Sequence, residues 1–427
     1  MVKQRQSVLK NIIGGSAGNL VEWFDWYVYS AFALYFASSF FPEGDATAQL
    51  LQTAAIFAIG FVVRPIGAWL MGIYADRRGR KAGLTLSVSL MCFGSLLIAI
   101  APTYAQAGIL SPAILLLARI IQGLSLGGEY GSSATYLSEI ADRDRRGFWS
   151  SFQYVTIIGG QLAALGLLVV LQLLLGEGAM QAWGWRIGFF AGAVLAVVVF
   201  IIRRRLDETQ SFANVAARPD RRKSSARNLF RHHPREALLV IALTAGGTAS
   251  FYAYTIYLQK FLANTSGFDR ATASQIMTAA LALMLLMQPV AGRLSDRLGR
   301  KPLMIFFGVC ATLFTYPIFV ALEQTDSVAV AFALALASLV IVTGYTSINA
   351  IVKAELFPAD IRALGVALPY AIANAVFGGS AEYVALYLKD VGHERWFYIY
   401  ISALAACSLI AYIRMRETRT SSLIEEG

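Results

Sequence analysis

Glu22 and Asp25 stand in GNLVEWFDWYVYSAFALYFASSFFP (18–42), a run otherwise dominated by apolar residues. At about 1.5 Å per residue the run is long enough to cross a hydrocarbon layer of roughly 30 Å. An ionised carboxylate at the centre of such a layer costs about 2.5–3.5 kcal/mol even on lenient insertion scales, so acids held there point to ion or proton chemistry. Glu22, Asp25 and Tyr29 follow one another at i, i+3 and i+7 and share a helical face. A carboxylate facing a low-dielectric cavity favours its neutral form, and a nearby guanidinium restores its charge. Opening and closing such a pair would let Asp25, or Glu22, take up a proton on one side of a membrane and release it on the other.

Two arginines are placed to act as that partner. Arg64, in FAIGFVVRPIGAW, lies far enough before Asp76 to sit about 18 Å up a helix from the loop, and Pro65 follows it directly. A guanidinium at that depth is a two-pronged donor for a carboxylate, either a substrate's or that of Glu22 or Asp25. Arg119 is followed on its own face by Gln122, Leu126 and Glu129. We therefore expect Asp25, Glu22, Arg119 and Glu129 to handle protons, and the sequence leaves open whether Arg119 or Arg64 faces Asp25. A permanently paired structural ion is the alternative. Arg64, Arg186 in WGWR, Tyr29, Tyr252, Tyr254 and Asn374 are the candidate substrate contacts. The apolar segments contain no histidine, so a proton carrier in them must be a carboxylate. Cys92, Cys310 and Cys407 fall in apolar segments with no metal-ligand spacing, and neither metal nor cofactor is expected.

The elements that carry these residues follow from composition. Of 427 residues 57% are hydrophobic and 15% charged, far from the quarter charged of soluble domains. Apolar runs of about 20 residues occur near 17–41, 50–74, 83–101, 113–138, 149–175, 187–202, 236–262, 271–292, 302–322, 328–352, 363–388 and 396–413. The formal charge of +10 suggests nucleic-acid binding until the positions of the basic residues are traced. They cluster in alternate loops, at Lys3, Arg5 and Lys10, at 77–81, at 143–146 and across 203–235, which places both termini in the cytoplasm. The first run is too long for the core of a cleavable signal and is expected to remain in the membrane.

The chain also repeats itself. GIYADRRGRK begins at Gly72 and GRLSDRLGRK at Gly292, while Glu139 and Arg146 in one half are echoed by Glu355 and Arg362 in the other. Each repeat falls in the matching loop. This predicts an all-α membrane protein with twelve transmembrane helices in two pseudo-symmetric six-helix bundles, divided as 1–202, a basic linker 203–235 and 236–427. Gly72 and Gly292 would permit close helix approach. Asp76, Arg77 and Arg80, with Asp296, Arg297 and Arg300, and the pairs Glu139–Arg146 and Glu355–Arg362, would form polar clasps gating the cytoplasmic side. Simple topology anchoring is the competing explanation for the basic residues.

The segments GNLVEWFD, RPIGAWLMGIYADRRGRK, QGLSLGGEYGSSATYLSE, FQYVTIIGGQL, WGWR, KAELFPADIRALG and NAVFGGSAEYVAL together resemble the metabolite:proton symporter family of major facilitator transporters over nearly the whole chain. The resemblance implies inward symport of a small organic anion, 2-oxoglutarate (α-ketoglutarate), with protons across a bacterial inner membrane, by a carrier working as a monomer. It marks Arg64, Arg80 and Arg186 as important for transport. Relatives often carry histidine where Arg78 stands here. Citrate, shikimate and proline/betaine carriers share the framework, the last disfavoured by a short tail without heptads. A membrane enzyme would need a nucleophile or metal constellation, a sensor would need a signalling domain larger than 203–235 supplies, and a channel would not need repeated gating loops.

Overall fold

The computed structural model describes the backbone of residues 19–78, 80–127, 141–204, 225–358 and 361–424, with 130, 134–135 and 137–138; the side chains of 72–84, 202–204 and 363 are not described. Among these residues regular structure is entirely helical. Helix α1 runs over 19–31 and Ala33–Phe40, α2 over Ala46–Val62 and Arg64–Arg78, and α3 over Arg80–Ile100. Helix α4 starts as Leu110–Leu126, α5 is Phe152–Ala179, preceded by the short Arg146–Ser150, and α6 is Trp185–Arg204. A short helix, Ala226–His232, leads into α7 (Pro234–Tyr252, Ala253–Tyr257 and Leu258–Asn264), α8 (Arg270–Leu298) and α9 (Arg300–Gln324). The last three are α10 (Val328–Thr346 and Asn349–Glu355), α11 (Arg362–Ala373, Asn374–Gly378 and Ala381–Asp390) and α12 (Arg395–Arg414). They coincide with the twelve expected runs, with ends moved by a few residues.

Local chemistry sets several boundaries. The Asp45 carboxylate accepts from the Ala48 amide at 3.0 Å and the Asp269 carboxylate from the Thr272 amide at 2.9 Å, each satisfying an amide that the first helical turn leaves open. Gly299, in the second copy of the repeated loop, has φ of +102° and makes the tight turn from α8 to α9, where a side chain would be strained. Large apolar side chains such as Leu174, Val194, Leu286, Val290 and Trp396 point outward and stay exposed, as the lipid-facing side of a membrane bundle requires.

Two six-helix bundles result. Within them the most extensive contacts are α3 with α6 and α9 with α12, equivalent pairs in the two repeats. Between them α5 lies on α8 and α2 on α11, again a pair exchanged by the repeat. In the first bundle α2 and α4 cross on glycine. A methyl group on Gly123 or Gly127 would collide with the carbonyl oxygens of Gly60 and Arg64 respectively, so the small residues let the backbones meet and bring Arg64 and Arg119 to one region.

The bundles touch at both ends. At the end carrying the basic loops, Gly147 of the first half packs on Gly292 of the second. At the opposite end Arg270 pairs with Glu177 at 2.9 Å, Lys260 donates to Ser30 Oγ at 3.0 Å and Gln172 reaches Ser274. A cavity of about 130 Å³ opens there beside Leu34, Gln49, Asn264 and Arg270.

Candidate functional site

Helix α2 is interrupted at Val63, and Arg64 begins its second piece. The Arg64 side chain is buried. Its guanidinium carbon lies 3.9 Å from the ring centroid of Phe61, 4.1 Å from Trp26 and 5.4 Å from Trp23. Tyr27, Tyr252 and Tyr370 are its polar neighbours, and its Nε and Nη2 have no hydrogen-bond partner. No carboxylate of the described residues pairs with it. Phe61 meets Tyr252 edge-to-face at 5.1 Å, so Arg64 reaches across from the first bundle to the second.

The second bundle answers with polar side chains. Tyr252 adjoins Asn374, whose Oδ1 accepts from Thr248 Oγ1 while its buried Nδ2 has no partner. Asn374 opens a wide turn of π geometry, and Tyr252 directly precedes another at Ala253–Tyr257; such turns re-aim side chains within otherwise regular helices. Unmatched donors from Arg64 and Asn374 thus converge on the middle of the bundle interface. Leaving a buried guanidinium without a counter-charge is unfavourable by several kcal/mol, and a carboxylate bound there would remove that penalty. The chemistry on offer is recognition of an organic anion by a charged fork, an amide and phenols.

Asp25 belongs to a second network inside the first bundle. Ser95 Oγ of α3 donates to its Oδ1, and Gln122 Nε2 of α4 donates to its Oδ2 at 2.9 Å. Gln122 Oε1 accepts from Arg119 Nη1 at 2.8 Å. The question of the partner is thereby resolved for this structure: Asp25 is linked to Arg119, through Gln122 and without a direct ion pair. Gly192 of α6 leaves the space that the carboxylate fills. Glu22 is buried one turn before Asp25. The two networks meet at Trp26, whose ring lies 3.7 Å from the Arg119 guanidinium carbon as well as 4.1 Å from that of Arg64.

Other expected residues lie elsewhere. Arg186 donates to the carbonyls of Ala99 at 2.8 Å and Ala101 at 2.7 Å and stacks on Trp185, so its fork is occupied by the end of α3 and is not aimed at the Arg64 region. The Tyr254 hydroxyl bonds Thr315 of α9, on the far side of α7 from Asn374. Tyr29 donates to the Thr53 carbonyl at 2.8 Å, and its ring lies 4.4 Å from the Arg119 guanidinium carbon, within the Asp25 network rather than the Arg64 one.

At the basic end Asp296 accepts from the backbone amides of Gly147 and Phe148, at 2.7 and 2.9 Å, and from Arg300 at 2.8 Å. The expected acid–arginine pairing is met by Arg300 of the same loop, while the cross-bundle bonds of this acid go to backbone amides at a helix start. Arg300 also faces Glu355 at 3.6 Å, and Arg146 is a further electrostatic neighbour of Glu355. Arg362 donates to the carbonyls of Phe357 and Leu423, binding the C-terminal tail. Arg297 is exposed and stands off this cluster. Glu129, Glu139 and the side chains of Asp76, Arg77 and Arg80 lie outside the described residues.

The sequence pattern of the Major Facilitator Superfamily matches residues 16–381 and 242–426. The chain belongs to the Major Facilitator Superfamily. Among relatives in this superfamily, alpha-ketoglutarate permease of Escherichia coli (strain K12) is 53% identical over 95% of this chain and 93% of its own length. A citrate-proton symporter of Klebsiella pneumoniae is 33% identical over 94% and 90%. The solved proton:xylose symporter XylE, bound to 6-bromo-6-deoxy-D-glucose, superposes with a TM-score of 0.78 at 17% identity, covering 97% of each chain, and shares the fold. The protein is a multi-pass membrane transporter of this superfamily and not an enzyme.

Tyr27, Trp26, Tyr370, Ser95 and Lys353 were not singled out from the sequence of this facilitator. Ser95 and the aromatic residues look like ordinary packing in an apolar run. A weak signal existed for Tyr27 and Trp26, which immediately follow Asp25.

Proposed function

We propose that this facilitator is a proton-coupled symporter of a small dicarboxylate, with 2-oxoglutarate as its substrate, carried into the cytoplasm across a bacterial inner membrane by alternating access. The observation that carries this reading is Arg64, a buried cation with two unbonded nitrogens at the interface of the bundles. The name and high identity of the alpha-ketoglutarate permease relative support the choice of anion, and citrate is the runner-up through the citrate-proton symporter. Arg64 grips a carboxylate, and Asn374, Tyr252 and Tyr27 supply neutral donors around it.

Asp25 takes the proton, with Glu22 beside it as a second acid. Protonating Asp25 leaves Arg119 without its counter-charge, and the positive potential around Trp26 rises. Anion binding is thereby strengthened, and by linkage the bound anion favours the proton. Rocking then breaks the Asp296 contacts at the basic end, which faces the cytoplasm together with both termini, while the Arg270–Glu177 end holds shut. The bundles, 1–202 and 236–427, move as units about the linker 203–235, and one chain in a lipid bilayer suffices.

Uptake of labelled 2-oxoglutarate into proteoliposomes, with and without an inward proton gradient, tests this. Gradient-driven accumulation blocked by unlabelled 2-oxoglutarate, and not by citrate, shikimate or betaine, is the expected result. Transport of a competitor instead would overturn the substrate.

A further inference from the structure

We propose that Lys353 is the second cation of the substrate site and holds the far carboxylate of a dianion whose near carboxylate sits on Arg64. This rests on the dicarboxylate reading above. Lys353 lies in the broken end of α10, Asn349–Glu355, and is 1% exposed. Its ammonium donates to Asn349 Oδ1 at 2.7 Å and to Tyr130 OH at 3.3 Å. It stands 3.9 Å from the ring centroid of Tyr370 and 5.3 Å from that of Tyr130. All these partners are neutral, and one of its three donors is left over.

The other buried cations of the second bundle are treated differently. Lys260 pairs with Glu382, Arg300 pairs with Asp296 and Glu355, and Arg362, at the basic end, donates to the carbonyls of Phe357 and Leu423. No carboxylate of the described residues pairs with Lys353. A topology anchor would sit in water at a loop, whereas this side chain turns back along its helix towards Asn349, away from the basic end. Burial of an ammonium among phenols and an amide is unfavourable unless an anion arrives.

Tyr370 joins the two cations. It is a polar neighbour of Arg64 and the ring beneath Lys353. Tyr130 of α4 stacks on it across the interface at 3.8 Å and 11°. The stacked pair makes a floor shared by the bundles, with one cation associated with each half. A monocarboxylate would match Arg64 and leave Lys353 unmatched, so the lysine selects for a second negative charge.

The test is equilibrium binding to the purified full chain in detergent, comparing 2-oxoglutarate with the monocarboxylate 2-oxobutyrate in wild type, Lys353→Gln, Lys353→Met and Lys353→Arg. In Lys353→Gln and Lys353→Met we expect 2-oxoglutarate to weaken by about 10- to 100-fold, the range for losing a hydrogen bond to a charged group, with 2-oxobutyrate unchanged. Lys353→Arg should keep the preference for the dianion. Wild-type preference retained in the Gln and Met variants, or equal loss of both ligands, overturns the assignment. If wild type prefers succinate or another dianion, the 2-oxoglutarate reading falls, and the same comparison made with that dianion decides Lys353. Selection of monocarboxylates by wild type overturns both.

Discussion

Replacing Arg64 by Met should sharply weaken substrate binding with little or no loss of fold stability. The guanidinium is buried, its Nε and Nη2 have no hydrogen-bond partner, and its favourable contacts are with the Tyr252 side chain and the aromatic rings, chiefly Phe61 at 3.9 Å and Trp26 at 4.1 Å. Two close cation–π contacts return about 1–4 kcal/mol in a desolvated site. Desolvating an unpaired charge costs several kcal/mol, so an apolar side chain of similar length should leave unfolding within about 1 kcal/mol of wild type or raise it. Binding should respond in the opposite direction. Truncating one partner of a buried charge-assisted pair costs about 2–5 kcal/mol, or roughly 30- to 5,000-fold in Kd. Arg64→Lys keeps the charge and loses the fork, and should fall between. The assay is thermal unfolding in detergent beside 2-oxoglutarate binding on the same preparations. Destabilisation of Arg64→Met by more than about 2 kcal/mol, or wild-type binding, would show that Arg64 is a structural cation and refute the reasoning.

Asp25→Asn keeps an acceptor oxygen for only one of Ser95 and Gln122, which donate to opposite oxygens of the carboxylate, and cannot carry a proton; counterflow of substrate should persist while gradient-driven accumulation is lost, and wild-type accumulation in this variant would remove Asp25 from the coupling scheme. Asp296→Ala leaves the Gly147 and Phe148 amides and Arg300 without their shared acceptor, so spin labels placed on the two bundles near the basic end should report longer separations, and an unchanged distance distribution would discount the clasp. Gly127→Val drives a branched side chain into the Arg64 carbonyl and should lower stability by about 1–3 kcal/mol or more, measured by thermal unfolding. Glu417→Ala removes the carboxylate that accepts from the Arg300 and Lys301 amides at 2.9 Å each, and should lower stability by about 0.5–2 kcal/mol.

The twelve spans were legible because a hydrocarbon layer imposes a length on every apolar run, and the bundle plan was legible because the repeated loops mark equivalent places. Asp25, Arg119 and Arg64 were legible as candidates because acids and cations in apolar runs have few innocent uses, but which arginine joins Asp25 was decided only by the packing that puts Gln122 between Asp25 and Arg119. Arg186 shows where legibility stops. A sequence places it at the mouth of a helix, but which carbonyls lie within reach of its fork is decided by how the end of α3 packs, and Ala99 and Ala101 give no sign of that. Tyr254 fails for a related reason, since the π turn beginning at Ala253 rotates it towards Thr315. Lys353 was hidden by its surroundings in the sequence. It stands two residues before Glu355 near a basic loop, and only the break at Ser347–Ile348 with the packing of Tyr130 and Tyr370 makes it a buried residue.

A carrier that resets unloaded must take the unmatched guanidinium of Arg64 through a closed, low-dielectric interior. A proton on Asp25 without an anion makes that interior more positive still, because Arg119 then loses the compensating charge of Asp25. The cycle that would dissipate the proton gradient with nothing carried is thus the one with the highest electrostatic barrier. Leaving Arg64 without a carboxylate partner among the described residues, which looks like a defect of the resting fold, is what would keep the protein from leaking the gradient that drives it.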